Sequence, residues 1–213
     1  MKVPYRFFVF FLLPFLCFLT LSYFVSSDAT LQFDVKVSKA VYLLEHPFLT
    51  SFMIFISFIG STLPVIVISL LLIILLYTLF HDRSDIILFV VASVGSVLLN
   101  IVLKNLFKRE RPSIIDLVVE TGFSYPSGHS MAAFSLYGLV IFLFWKHVKI
   151  KRNRILLLIF LSLMIITMGF SRVYLGVHYL TDVIGAYLIS GCWLALTILG
   201  YQSLKEKQVV FST

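Results

Sequence analysis

The chain has 213 residues, 60% of them hydrophobic and only 13% charged, with a formal net charge of +7. Mean hydropathy is +1.04, whereas a soluble domain carries roughly a quarter charged residues, so a water-soluble globular protein is excluded. The basic residues are dispersed among loops, which argues against a nucleic-acid surface. The expected class is an all-α integral membrane protein, a six-transmembrane-helix bundle forming a single membrane-embedded domain over residues 1–213.

About 20 apolar residues cross a bilayer core, and on that measure six spans are expected at roughly 5–25, 50–79, 86–103, 128–146, 154–171 and 178–201. The first follows Lys2 and Arg6, and its apolar run is longer than the core of a signal peptide, so it is expected to remain as a span. In the segment 34–47, Val37, Ala40, Val41 and Leu44 fall at helical spacing beside Lys36 and Lys39. It reads as a connecting loop with some helical content; the alternative is a short helix lying in the interface and bordering an entrance from the bilayer. The second span is free of charge from Ser51 to Phe80 and is read as one long, tilted helix. The third is diluted by Asn100 and two serines. Cys17 and Cys192 lie in spans and read as apolar filling.

Six spans put both termini on one side. That side takes Lys2, Arg6, Arg83, Lys146, Lys149, Lys151, Arg152, Arg154, Lys205 and Lys207, 10 of the 17 basic residues. By the positive-inside rule it is cytoplasmic. The other side holds Lys36, Lys39, Lys104, Lys108, Arg109, Arg111 and Arg172. Because spans alternate in direction, the end of the third, the start of the fourth, the end of the fifth and the start of the sixth share that extracytoplasmic face.

Three polar clusters fall at those four ends. Lys104 precedes Arg111-Pro112; Pro126-Ser127-Gly128-His129 opens the fourth span; Ser171-Arg172 closes the fifth, and His178 and Asp182 open the sixth. Charge inside a membrane chain points to a function. A serine cap and a glycine at a helix start leave first-turn N–H groups aimed at a ligand, an arrangement suited to an anion. Taken alone, the tetrapeptide is equally a plain capped helix. His178 and Asp182 are four apart and share a helix face, where a carboxylate fixes an imidazole that attacks through its other nitrogen. The plain alternative is a buried pair that tethers helices. Lys104, Arg111 and Arg172 supply cations that match phosphate oxygens, or they anchor the chain to headgroups. For Lys108 and Arg109 the headgroup reading is preferred. Glu110, Asp116 and Glu120 are scattered, without a histidine, so no metal site and no cofactor are expected.

These clusters resemble, residue for residue, the signature of the type 2 phosphatidic acid phosphatase superfamily. Lysine, six residues and Arg-Pro is Lys104 to Pro112; Pro-Ser-Gly-His is Pro126 to His129; Ser-Arg, five residues, His, three residues and Asp is Ser171 to Asp182. The run from Ser171 to His178 is most similar to the bacterial phosphatidylglycerophosphatase B group. The resemblance implies a metal-independent membrane lipid phosphatase with a phosphohistidine intermediate. His178 becomes the nucleophile, Asp182 its partner and His129 the acid and base. Lys104, Arg111, Ser127, Gly128 and Arg172 bind phosphate. It implies a lipid phosphate as partner in the cell membrane: phosphatidylglycerol phosphate, phosphatidic acid or undecaprenyl pyrophosphate. A phosphotransferase passing the phosphate to a lipid or sugar would use the same residues. A lipid-phosphate transporter fits less well, since its charged or broken helices belong near the midplane.

Overall fold

A computed structural model describes residues 5–113 and 117–212, without the side chains of Arg6 and of residues 207–212. Lys2, Asp116 and the side chains of Arg6 and Lys207 lie outside the described residues. The chain is built from helices. A helical turn at Tyr5–Phe7 and a π-helical stretch at Phe8–Leu12 lead into α1 (Leu13–Phe24). Then follow α2 (Asp28–Tyr42), α3 (Pro47–Ile59), α4 (Thr62–Phe80), α5 (Arg83–Phe107), α6 (Gly128–His147), α7 (Lys151–Tyr174) and α8 (Leu180–Ser212).

Five of these, α4 to α8, are long and apolar enough to cross a membrane. The expected first span corresponds to Phe8–Phe24, after which the chain bends by 98° into α2. Ser27 makes that corner: it is extended (φ −75, ψ 150), and its hydroxyl accepts from the Thr30 amide to cap α2. The segment expected mainly as a loop is therefore helical as far as Tyr42, with Asp34 and Ser38 buried on one face.

The second expected span is corrected. It is not one helix but two, α3 and α4, broken at Gly60-Ser61. Ser61 is extended (φ −75, ψ 163), and Pro64 in the first turn of α4 lacks an N–H that no helical carbonyl needs there. Gly60 makes a close approach: a Cβ there would lie 2.5 Å from Met168 Cε, which would have to move aside, and 3.1 Å from His129 Cδ2. The break thus lets the chain touch α6 and α7 just where the fourth span opens.

Helix α6 is the axis of the bundle, with half of its apolar window buried against 6% for α4. One apolar cluster joins Leu76, Leu88, Phe89, Leu136, Leu139 and Leu194 across α4, α5, α6 and α8. Another joins Phe18, Leu103, Met131 and Ile189 around Tyr125. Outward faces stay apolar, as at Leu70, Leu98, Val102 and Ile159. Water-driven burial gives little between helices in lipid, so close packing and hydrogen bonds hold them instead. Ser135 donates to Ser96 at 2.9 Å, and the Trp193 indole donates to Ala92 O at 2.9 Å.

One end of the bundle is tied by charge. Asp85 is fully buried at the start of α5, with Lys146 Nζ at 3.2 Å and His147 Nε2 at 3.1 Å from the end of α6. Tyr201 donates to the same carboxylate, and Lys205 of α8 pairs with Asp82. The four span ends expected to share a face do so, away from this charged end. The polar clusters gather there.

Candidate active site

The turn between α7 and α8 positions most of the site. Helix α7 ends at Tyr174, Leu175 caps it, and Gly176 takes φ +76, a left-handed conformation that costs a side-chain-bearing residue about 1–2 kcal/mol. The reversal lets the Val177 and His178 amides both donate to Arg172 O, each at 3.2 Å. His178 is thereby folded back beside Arg172. A Gly176→Ala variant is expected to lose roughly 1–2 kcal/mol of stability, read as a lower melting temperature in detergent; an unchanged melting temperature would mean that the turn bears no such constraint.

Arg111 closes over this turn from the α5–α6 loop. Its Nε donates to Gly122 O at 3.0 Å, Nη2 to Thr121 O at 3.0 Å and Nη1 to Val177 O at 2.8 Å. Nη1 also lies 3.2 Å from His178 Nε2. A guanidinium only donates, so Nε2 accepts and the ring proton sits on Nδ1. Nδ1 faces Asp182 Oδ2 at 3.4 Å and Ser124 Oγ at 3.3 Å. The Asp182 carboxylate further accepts from the Ser124 hydroxyl, from the Tyr179 amide at 2.9 Å and, on Oδ1, from Arg109 Nη1 at 2.6 Å. Burial pushes the His178 imidazole well below its usual range, against the opposing pull of Asp182. It is neutral at physiological pH with its lone pair on Nε2.

Arg172 is fully buried. It donates to Ser57 Oγ of α3 and to Glu120 Oε1, while its Nε is buried without a hydrogen-bond partner among the described residues. Burial raises the Glu120 carboxyl, and the Arg172 guanidinium more than offsets this, holding it below the usual range. Glu120 also lies 3.6 Å from Arg111 Nη2.

Ser127 caps α6, its hydroxyl accepting from Ser130 N at 3.5 Å and Ser130 Oγ at 3.0 Å. Its own amide donates to Asp182 O at 3.2 Å. Its amide and its hydroxyl oxygen are thus engaged within the protein, while the hydroxyl hydrogen is left to donate beside the Gly128 and His129 amides of the first turn. Asn100 bonds Pro126 O at 3.1 Å and holds this helix start from α5.

Lys104, Arg111, Glu120, Gly128 and His129 together line one end of a cavity of about 530 Å³. The cavity descends between α4, α5 and α6 past Asn100, Ser96 and Val65. Its wall is largely apolar, a shape suited to a ligand with a charged head and an oily remainder. His178 lies behind Arg111 rather than on the wall, 1% exposed. The structure therefore brings every residue expected at the site to one end of the bundle, from α5, α6, α7, α8 and two loops.

Sequence reading missed several neighbours. Arg109, read as a headgroup anchor, is instead buried and paired with two carboxylates, at 2.6 Å to Asp182 and 2.7 Å to Asp34. Glu120, set aside as scattered, joins two arginines. Ser124 and Ser57 carried no signal beyond their type. Lys108, by contrast, is exposed where α5 ends.

A family model for the PAP2 superfamily matches residues 85–206. The chain belongs to the PAP2 superfamily. This PAP2 chain is 34% identical over 192 residues, 88% of its own length and 92% of the relative's, to phosphatidylglycerophosphatase B of Bacillus subtilis (strain 168). It is 39% identical over 87 residues to phosphatidylglycerophosphatase B of Escherichia coli (strain K12), covering 38% of this chain and 32% of that one. Its fold matches the crystal structure of a transmembrane PAP2-type phosphatidylglycerolphosphate phosphatase from Bacillus subtilis with a TM-score of 0.83 at 30% identity, over 90% of this chain and 95% of that one. Aquifex aeolicus LpxE shares the fold, with a TM-score of 0.62 at 22% identity over 77% and 93% of the two chains. This PAP2 chain is a membrane phosphatase, and the resemblance read from its three motifs holds along most of its length.

Proposed function

We propose that this enzyme removes the terminal phosphate of phosphatidylglycerol phosphate through a phosphohistidine formed on His178. The observation that carries the proposal is the setting of His178. Its Nδ1 is held by Asp182 and its Nε2 points to the Arg111 guanidinium, at the charged end of an oily cavity. Phosphatidylglycerol phosphate is favoured by the relative from Bacillus subtilis that matches over most of both chains.

The phosphate enters among Lys104, Arg111 and Arg172 and accepts from the Gly128 and His129 amides, with the unpartnered Arg172 Nε as a further donor. Arg111 then turns its N–H from Nε2 to a phosphate oxygen and frees the lone pair. Nε2 attacks phosphorus, an N–P bond forms, and the P–O bond to the lipid breaks. His129, taken as the imidazolium once the phosphate anion is bound beside it, gives that extra proton to the departing lipid oxygen and becomes neutral. Asp182 stabilises the positive charge that develops on His178. In the second step His129 takes a proton from water as the water attacks phosphorus. The N–P bond breaks, and inorganic phosphate leaves with neutral His178 restored. The cations offset charge on the non-bridging oxygens throughout, and no step draws on a metal. Ser127 contributes by fixing the helix start.

The excess of basic residues at the opposite end supports cytoplasmic termini and a site on the extracytoplasmic face. That placement favours a second reading, undecaprenyl pyrophosphate as substrate. The test offers both lipids to the purified protein in detergent with EDTA and measures phosphate release, with His178→Ala as the blank. Faster release from phosphatidylglycerol phosphate supports the first reading, and faster release from undecaprenyl pyrophosphate the second. No release from either, or a strict metal requirement, would contradict both.

A further inference from the structure

Of the charged groups buried near the site, Arg109 and Asp34 are the two that the mechanism above leaves without a part. Arg109 is 6% exposed and Asp34 is fully buried. Neither lines the cavity, and both turn their polar groups to each other and to Thr181 and Asp182 of α8 rather than toward it. Holding ions in such a place is costly unless each is matched by partners of good geometry. They are matched. Arg109 donates from Nη1 to Asp182 Oδ1 at 2.6 Å and to Thr181 Oγ1 at 2.8 Å, and from Nη2 to Asp34 Oδ2 at 2.7 Å. Its guanidinium also lies 4.4 Å from the centre of the Tyr179 ring. Asp34 in turn accepts from the Thr181 amide at 3.1 Å and from the Thr181 hydroxyl. The first turn of α8 is thus clamped from α2, through a residue of the α5–α6 loop.

The consequence falls on Asp182. Its two oxygens are divided: Oδ1 belongs to Arg109, while Oδ2 takes Ser124, the Tyr179 amide and the His178 ring. An aspartate free to rotate about its terminal bond would present either oxygen to the imidazole, in varying planes. Locking Oδ1 to a guanidinium fixes the plane of the carboxylate and keeps Oδ2 aimed at Nδ1. Sharing Arg109 with Asp34 leaves Asp182 only partly neutralised, so it can still stabilise a cation on His178.

We infer that Arg109 is a positioning residue for the reaction, that Asp34 sets it in place, and that α2 is by this route part of the active site. This rests on the proposed role of His178. Substrate binding does not pass through either residue, so their loss acts on kcat and spares KM.

The test uses the full-length protein in detergent with phosphatidylglycerol phosphate as the probe. Arg109→Met alone strands Asp34 as a buried unpaired anion and endangers the fold. The double variant Asp34→Asn/Arg109→Met removes both charges and keeps a carbonyl for Thr181. Arg109→Lys keeps the charge without the fork. The double variant spares Asp34 but still takes the guanidinium from Asp182, so it is expected to melt somewhat below the wild type and to lose roughly ten- to a hundredfold in kcat, the usual cost of removing a group that orients a ligating side chain. Its KM should stay within about twofold, and Arg109→Lys should recover part of the loss. A kcat near the wild-type value in the double variant, with His178→Ala inactive, would overturn the inference and leave the nucleophile standing. So would a rise in KM at unchanged kcat, or a collapse of the melting temperature in both variants. Phosphate release that persists in His178→Ala would strike down the proposed nucleophile and the positioning role with it.

Discussion

Replacing His178 by alanine is expected to abolish phosphate release, by at least about 10⁴-fold, since removing a covalent nucleophile forfeits the whole catalytic unit. Phosphomonoester hydrolysis needs an acceleration approaching ~10²¹-fold, which leaves no room for an alternative route through the remaining cations. The variant should still fold, because His178 Nδ1 makes only long contacts to Asp182 and Ser124, at 3.4 and 3.3 Å. Asp182 keeps Arg109, Ser124 and the Tyr179 amide. The same environment sets the pH dependence. Burial lowers the imidazole pKa, so the attacking neutral form persists as pH falls through the ordinary histidine value of about 6.5. The acid limb of kcat/KM attributable to His178 should therefore lie below that pH. An acid limb at or above it would mean that the imidazole is not desolvated as described.

The second large effect is expected at Arg172. Its side chain is fully buried and divides its donors between Ser57 and Glu120, with Nε left over. Arg172→Met should lower kcat/KM by roughly 10²- to 10³-fold, the loss found when one preorganised donor to a developing oxyanion is removed. Glu120 keeps Arg111 nearby at 3.6 Å, so the loop has a remaining partner. Arg172→Lys retains the charge but not the planar pair of donors, and is expected to recover only part of the activity. Full activity in Arg172→Lys would show that charge alone suffices. Near-normal activity in Arg172→Met would assign Arg172 to holding α3 and the loop.

The site was legible in the sequence because its members are rare types in an oily chain. Charge and histidine at span ends stand out, and alternating spans alone put Lys104, His129, Arg172 and His178 on one face. Hydropathy served less well where the chain breaks without becoming polar. Gly60-Ser61-Thr62-Leu63-Pro64 carried the break between α3 and α4 in plain view, yet its apolar neighbours kept the whole run reading as one span. The break has a local purpose, since Ser57 of α3 meets Arg172 and Gly60 sits against His129.

Arg109 and Asp34 were illegible for a different reason. Each alone is a charge at a membrane edge, where headgroup contact is the ordinary expectation. Their pairing depends on α2 folding back by 98° onto the start of α8, and no local pattern announces that. Glu120 is alike: its meaning comes from Arg172 and Arg111, one of them far along the chain. What sequence could not supply was which opposite charges would meet.

The most direct measurement is to mix the enzyme with substrate carrying a labelled terminal phosphate, quench in alkali within one turnover and locate the label by peptide mapping. The expected result is a phosphoryl group on His178, stable to base and lost in acid, absent from His178→Ala and accumulating in a His129 variant unable to activate water. Label on any other residue, or turnover without a labelled protein in both wild type and His129 variant, would contradict the phosphohistidine route.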